Sequence, residues 1–462
     1  MLLYFISPSI NWRNGELLVF SLIFYSWGEP KLVLLMLATV AVNYAFGLLV
    51  ERYRGRPAAK LFLALAVLVS LGSLAVFKYA GFFVSSLNSV LGAGMTVPSI
   101  ALPIGISFYT FQILTYVIDV YRGSVPAQRS FFRLLLYISC FHQLIAGPIV
   151  RYEDIARELE HRRTSPDEIS YGIRRFIIGF AKKVVIANMC GETASQILDS
   201  DVASITVAGA WFGVIIFSLQ IYFDFSAYSD MAIGMGRMCG FHYKENFDYP
   251  YVSRSVTEFW RRWHISLGSF FRDYVYIPLG GNRRHQLLNL FIVWSLTGLW
   301  HGASWNFALW GIYFFVFIAL EKFVYGKVLE HLPVISNLYL LAVVAVGWVF
   351  FYYTDVSQAF ALLSVMFGAA GNPVSDSLVM VTIQSNFVLL NLAVLCCIPF
   401  GRLFKGLFDG GGRRTRAGRL ADSRAVSGLS LALSTVVCAV LLMVSTVMLV
   451  GESYNPFLYF RF

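Results

Sequence analysis

Charge is scarce in these 462 residues: Asp, Glu, Lys and Arg together make 13%, where an ordinary soluble domain has about 25%. Cysteine is scarcer still, six in all, too few for a secreted scaffold held by disulfides. Phosphate-binding G-x-x-x-x-G-K-[ST] loops, G-x-S-x-G elbows, H-E-x-x-H pairs and dinucleotide fingerprints are all missing. Hydrolysis by a serine triad or by zinc therefore has no support. Period-2 alternation is missing too, which argues against a β-barrel. What remains is apolar, 58% hydrophobic and 16% aromatic. One or two soluble cores cannot bury that much surface at this length. The composition demands lipid, and the expected fold is an all-α polytopic membrane protein, since a helix satisfies its own backbone there.

The candidate embedded segments are Leu17–Gly28, Leu32–Val50, Leu61–Phe77, Ala101–Val120, Phe132–Ile149, Phe176–Met189, Val207–Phe225, Leu287–Trp300, Trp305–Leu320, Tyr339–Tyr353, Asn386–Pro399 and Leu429–Val450. That is about ten to twelve membrane-embedded helices, re-entrant segments included, in a single transmembrane domain over residues 1–462. Lys and Arg cluster in residues 52–60, 122–183, 237–284, 322–327 and 402–424, and are missing from 79–121, 184–236, 332–401 and 425–460. The positive-inside rule makes those five windows cytoplasmic, with loops at about 51–60, 150–175, 237–286 and 401–428. The net charge of +10 is then a topology signal with some attraction to anionic lipid, and no nucleic-acid partner is expected. Windows 237–284 and 322–327 share a side, so Leu287–Trp300 and Trp305–Leu320 must enter and return. Phe132–Ile149 sits inside a basic window and reads as re-entrant, and the residues after Leu429–Val450 face outward. Met1–Ile10 is apolar but too short to span, without a signal-peptide cleavage site, and reads as an incomplete first span over residues 1–14. Gly410–Arg419 reads as a flexible linker. Cys140, Cys190, Cys239, Cys396, Cys397 and Cys438 lack zinc spacing or an outside partner, and are expected as small buried hydrophobes with no metal.

Polar groups inside apolar segments point to function. His301 lies in Leu296-Thr-Gly-Leu-Trp-His-Gly-Ala-Ser-Trp305, between the two arms of the in-and-out pair. The first arm reaches about 21 Å into a core of roughly 30 Å, which sets the imidazole deep. Gly298 and Gly302 leave room beside it for a substrate or a close helix. Ser255-Val-Thr-Glu258 is a capping box, and the helix it opens carries Val256, Phe259, Trp260, Trp263, Leu267, Phe270 and Phe271 on one face. Glu258, Arg261, Arg262, Arg272 and Asp273 fall on the other face, the pattern of a helix lying in the membrane interface with His264 at its edge. Asp224 and Asp230 end a clear span and need partners, for which the arginines of the next basic window are candidates. Gln143 with Gly147-Pro148 reads as irregular backbone lining a cavity. Gly280-Gly281-Asn282-Arg283-Arg284 offers amides and guanidiniums to a phosphate, or else is an anchored turn.

These residues resemble the membrane-bound O-acyltransferase family, and within it the bacterial branch that acetylates alginate, peptidoglycan and other glycans. The likeness is carried by Tyr222-Phe-Asp-Phe-Ser-Ala-Tyr-Ser-Asp-Met-Ala-Ile-Gly234, Glu245-Asn-Phe, Glu258-Phe-Trp-Arg-Arg-Trp-His-Ile-Ser266 and Arg272-Asp-Tyr. It continues in Tyr276-Ile-Pro-Leu-Gly-Gly-Asn-Arg283 and Gly298-Leu-Trp-His-Gly-Ala-Ser-Trp305. Ser107-Phe-Tyr-Thr-Phe-Gln112, Gln143-Leu-Ile-Ala-Gly-Pro-Ile149 and Pro456-Phe-Leu-Tyr-Phe-Arg-Phe462 belong to the same pattern. The resemblance implies O-acyl transfer, with His301 as the catalytic histidine and His264 as the second one. It implies a tunnel from a cytoplasmic donor, acetyl-CoA or another acyl thioester, to an extracytoplasmic acceptor, with no bound cofactor. It also implies a bacterial inner-membrane location, a polysaccharide acceptor and an extracytoplasmic SGNH-type acetyltransferase partner. His301 would take the proton of the acceptor hydroxyl, and His264 would orient the donor carbonyl or stabilise the oxyanion. Trp300, Trp305, Arg261, Arg262, Asn282, Arg283, Asp224 and Gln143 are expected at the donor site or along the tunnel, whereas His142, proline in many relatives, is not expected to act. A transporter of polysaccharide or acyl groups is the competing class; it predicts paired broken helices in two related halves, and no internal repeat is visible.

Overall fold

Long apolar runs leave a chain one local way to satisfy its backbone in lipid, and this chain takes it. The computed structural model describes residues 2–7, 9–145, 147–400, 424–451 and 457, and among the described residues there is no strand. The helices of the first half are α1 (Leu2–Ile6), α2 (Ile10–Gly28), α3 (Val33–Arg52), α4 (Pro57–Leu74), α5 (Ala80–Leu91), α6 (Ile106–Arg122), α7 (Phe131–Ser139), α8 (Tyr152–Glu160), α9 (Pro166–Ala181) and α10 (Met189–Leu198). They are followed by α11 (Val207–Met238), α12 (Val256–Arg262), α13 (Ile265–Phe271), α14 (Gln286–His301), α15 (Trp305–Leu320) and α16 (Gly326–Glu330). The last are α17 (Pro333–Tyr352), α18 (Val356–Met366), α19 (Ser377–Ser385), α20 (Phe387–Cys396) and α21 (Arg424–Gly451). Two π-helical stretches, Ala75–Tyr79 and Lys182–Asn188, run α4 into α5 and α9 into α10 without a break.

Six helical stretches among the described residues are long and apolar enough to cross a bilayer, or seven if α19 and α20, bent by 54°, form one span. The others fall short in length or apolarity, so long spans alone make fewer segments than the ten to twelve expected. Phe132–Ile149 does not continue as a helix: α7 stops at Ser139 and irregular backbone follows, the form of a re-entrant segment. Gly410–Arg419, most of the 401–428 loop and the motif at 456–462, apart from Phe457, lie outside the described residues.

The core is divided. One cluster packs α2, α3, α4, α6, α7 and α8 around Met36, Tyr109, Tyr116 and Tyr137. A second packs α10, α11, α12, α14, α15, α17 and α18 around Phe217, Phe259, Trp310 and Trp348. Between them lies a small third cluster in which Phe108 and Phe111 meet Phe270, Phe271 and Trp300. The candidate histidines sit at this seam.

Several expectations give way to tertiary packing. The segment after Ser255 is not one interfacial helix. Ser255 Oγ accepts from the Glu258 amide as an N-cap should, but α12 ends at Arg262 and His264 adopts left-handed φ 44° before α13 begins. That reversal turns the aromatic face into protein, and Phe259, Trp263, Phe270 and Phe271 are all buried. The carboxylates of α11 find their cations on the preceding helix, not in the next basic window. Lys183 Nζ lies 2.6 Å from Asp224 Oδ1, while Lys182 and Arg175 both hold Asp230. The 150–175 loop is largely helical, as α8 and the start of α9. Cys396 is exposed, whereas the other five cysteines are buried.

The tightest joint is α14 against α15. A Cβ on Gly298 would lie 2.3 Å from the Phe307 carbonyl oxygen, and one on Gly311 would lie 2.4 Å from that of Trp294. Gly298 therefore serves a close helix. Val at either position must push the two backbones apart and should destabilise the fold by about 1–3 kcal/mol or more. Thermal unfolding in detergent reads this, and an unchanged midpoint for Gly298→Val would contradict the close contact.

Candidate active site

A helix that ends inside a membrane exposes carbonyl groups with no following turn to bond them. At the end of α14 these are the carbonyls of Leu299, Trp300 and His301, and the π-stretch Ala75–Tyr79 supplies their donors. Tyr79 OH donates to Leu299 O at 2.7 Å. Lys78 Nζ donates to Trp300 O, to His301 O at 3.3 Å and to Ser107 Oγ at 3.3 Å. A cation at a helix C-terminus also favours the helix dipole. Lys78 lies outside all five basic windows, at the edge of an apolar run. Its isolation there was the available signal, and only the fold reveals its partner.

His301 is buried at the end of this helix, with its ring against Trp300, Trp310 and Phe351 at 5.0, 5.0 and 5.2 Å between centroids. His264 is buried as well, and its ring centroid lies 5.9 Å from that of the Trp300 indole. The two imidazoles thus share one tryptophan, although 36 positions separate them in sequence.

A cavity of about 500 Å³ is lined by both histidines together with Trp260, Trp263, Trp294 and Thr297. It shares Thr257, Arg261, Arg272, Tyr276, Leu290 and Ile318 with a wider cleft of about 680 Å³, to which Arg254, Asn282 and Lys322 also belong. That cleft, on the side assigned to the cytoplasm, is lined by charges of both signs, Glu258, Glu321 and Glu330 among them. A separate cavity of about 160 Å³ is lined by Lys78, the 102–108 segment, Ile145, Trp300 and His301, on the side assigned to the exterior. His301 is the one described residue that lines both this cavity and the 500 Å³ one.

Of the residues singled out from sequence, His301, His264, Trp300, Arg261 and Asn282 meet along this path. Others do not. Trp305 is 61% exposed and packs on Phe82. Arg262 is paired with Glu258 and Asp248. Arg283 lies exposed beside a turn whose amides are already used: Gly280, Gly281 and Arg283 bond back to Ile277, Tyr276 and Gly280. Asn289 ties the same turn from within, donating to Gly281 O and Arg284 O, so 280–284 is an anchored turn. Gln143 is buried, donates to Tyr137 O at 2.6 Å and lines neither cavity. Asp224 is bound to Lys183. His142 is held by Tyr243 OH at 2.9 Å within the first core cluster, away from both cavities.

Asn246, quoted in a motif but given no role, is a further part of the site. Its Oδ1 lies 3.1 Å from the Ser266 amide, 2.8 Å from Ser266 Oγ and 3.2 Å from His264 Nδ1. Ser266 Oγ also accepts from the Ile149 amide at 2.9 Å, tying the re-entrant segment to the histidine.

Lys78→Met leaves three carbonyl-end or hydroxyl partners without their donor. It should lower stability by about 1–3 kcal/mol, read as a fall in the thermal midpoint in detergent. A midpoint equal to wild type would show that the ammonium does not hold the end of α14.

Comparison with known proteins agrees with this geometry. The family model for MBOAT, the membrane-bound O-acyltransferase family, matches residues 102–362. The chain is 37% identical to the probable alginate O-acetylase of Azotobacter vinelandii over 100% of this chain and 96% of the relative. With the probable alginate O-acetylase of Pseudomonas aeruginosa it shares 41% identity over 79% of this chain and 71% of the relative. With the peptidoglycan O-acetyltransferase of Helicobacter pylori it shares 31% over 83% and 81%. Two histidines on one tryptophan, an all-helical membrane fold and these relatives lead to one assignment: the chain belongs to the membrane-bound O-acyltransferase family and is an O-acyltransferase.

Proposed function

We propose that this protein moves an acetyl group from a cytoplasmic acyl thioester, acetyl-CoA or a similar donor, to a hydroxyl beyond the bacterial inner membrane. The acceptor is an extracytoplasmic polysaccharide, of the alginate type by the names of the relatives, or an SGNH-type partner acetyltransferase that passes the group on. The observation that carries this reading is the position of His301, which borders a cavity on each side.

The residues divide the work along that path. Arg261 and Lys322 in the charged cleft meet the phosphates of the donor, where charge-assisted hydrogen bonds are strongest, and Arg272 joins them while its guanidinium is held in place by Asp273. The thioester arm descends past Thr257 and Trp260 to the histidines. The acceptor hydroxyl arrives through the smaller cavity beside Lys78 and Ser107. The hydroxyl oxygen then bonds to the thioester carbon, its proton passes to an imidazole, and the sulfur leaves with the bonding electrons. Imidazole suits this exchange near neutral pH. The aromatic walls keep water from the thioester.

His301→Ala and His301→Gln should each lower acetylation of the polymer by about 10²-fold or more at normal protein level, scored by acetyl ester content. Normal acetylation in either variant would overturn the assignment. Arg261→Ala combined with Arg272→Ala should raise KM for acetyl-CoA about tenfold or more while kcat changes little. A loss confined to kcat would place the donor elsewhere.

A further inference from the structure

Trp300 also borders a chamber of about 420 Å³ that neither histidine lines. Tyr79, Leu299 and Trp300 close its deep end, and Phe111, Leu114 and Ile118 line it along two turns of α6, about 10 Å. Phe111, Leu114, Phe270, Phe271 and Trp300 are buried, but Leu71 of α4 and Leu296 of α14 are each 42% exposed. A buried floor with an exposed apolar lip makes a slot that opens sideways to the bilayer. Water does not suit this space, because a buried water needs two to four polar partners. The polar groups of the lining are already spent: Tyr79 OH on Leu299 O, Tyr274 OH on Asp119 Oδ2 at 2.8 Å, and Trp300 Nε1 on Ser107 O at 3.4 Å. Every other lining side chain is apolar, so the walls gain dispersion contacts only from hydrocarbon.

Charge identifies the kind of hydrocarbon. Val67, Leu71 and Leu74 line the slot from α4, and the same helix face carries Lys60 seven residues before Val67, about 10 Å nearer the cytoplasm. On α6 the lining face of Phe111, Leu114 and Ile118 runs on to Arg122, four residues later. Both cations are exposed. Arg122 lies over the Tyr274 ring at 4.9 Å and donates to the Asp273 carbonyl at 3.0 Å, which leaves guanidinium N–H groups for another acceptor. The nearby carboxylates are occupied, Asp119 by Tyr274 and Asp273 by Arg151 and Arg272. Two cations on the cytoplasmic side of an apolar slot match a phosphate above an acyl chain. We propose that the slot holds one acyl chain of an anionic phospholipid from the cytoplasmic leaflet. The phosphate sits at Lys60 and Arg122, the chain ends against Trp300, and the second chain stays in the bilayer beyond Leu71 and Leu296. Of the lining, only Phe271 also borders the donor cavity, so this site is separate from the donor's path and stands whether or not the acyl-transfer reading holds.

The test places the full chain in phosphatidylcholine nanodiscs that also contain phosphatidylglycerol with a diazirine at the end of one acyl chain. Irradiation should label Trp300 or its neighbours in the slot, Tyr79, Phe111 and Leu299. Label confined to other residues overturns the proposal. Extraction into detergent and native mass spectrometry should then find one phosphatidylglycerol per chain, kept in preference to phosphatidylcholine. Wild-type protein that keeps no lipid, or keeps both lipids alike, overturns it as well. Leu114→Trp fills the slot with an indole and should abolish the retained lipid. Lys60→Gln combined with Arg122→Gln changes exposed side chains alone, and decides the matter by itself if the first variant does not fold. It should lower the preference for phosphatidylglycerol about tenfold or more, while a phosphatidylcholine probe with the same diazirine still labels Trp300 or its neighbours. A preference equal to wild type in the double variant, or lipid retained by a folded Leu114→Trp protein, contradicts the site.

Discussion

A helix whose last turn is buried must find donors for its end carbonyls, and in this protein that requirement places the candidate catalytic residue. The end of α14 is held by Lys78 and Tyr79 from a π-stretch of a distant helix. Because the donors come from the first half of the chain and the helix from the second, the joint also ties together the two core clusters. His301 is the final residue of that helix. Its position is thus set by the same bonds that satisfy the end of its helix.

The glycine contact between α14 and α15 and the reversal at His264 serve the same end. Gly298 and Gly311 let the two arms of the in-and-out pair touch at the backbone, which packs Trp310 and Phe307 around His301. The left-handed turn at His264 brings a second imidazole from the α12–α13 segment against Trp300. Neither imidazole is solvated in the ordinary sense, yet each borders a cavity. Such a site is walled by aromatic rings while staying open to a cavity on each side of His301.

Much of this is written in local features of the chain. Apolar runs and basic windows give an all-helical membrane fold, and Trp300-His301-Gly302 between two apolar arms gives the deep histidine. What escapes is set by contacts distant in sequence. Lys78 is one lysine near an apolar run until its 222-residue reach to Trp300 is seen. The helical periodicity after Ser255 is real on both sides of His264, but periodicity carries no mark of a left-handed residue between two short helices. Asp224 and Asp230 announce a need for cations without saying which way along the chain they lie, and the nearer basic window in sequence was the wrong one. Arg262 and Trp305 share motifs with the two histidines, and a motif does not tell which of its members face the cavity.

The central claim is that one imidazole pair is reached by the acyl donor from the cytoplasmic face and by the alcohol from the other. Sealed inside-out vesicles, with labelled acetyl-CoA outside and an alginate oligosaccharide trapped within, test it most directly. The account predicts labelled acetyl ester on the trapped oligosaccharide while CoA stays outside. Label appearing only when donor and acceptor share one compartment, or intact acetyl-CoA found inside, would contradict it.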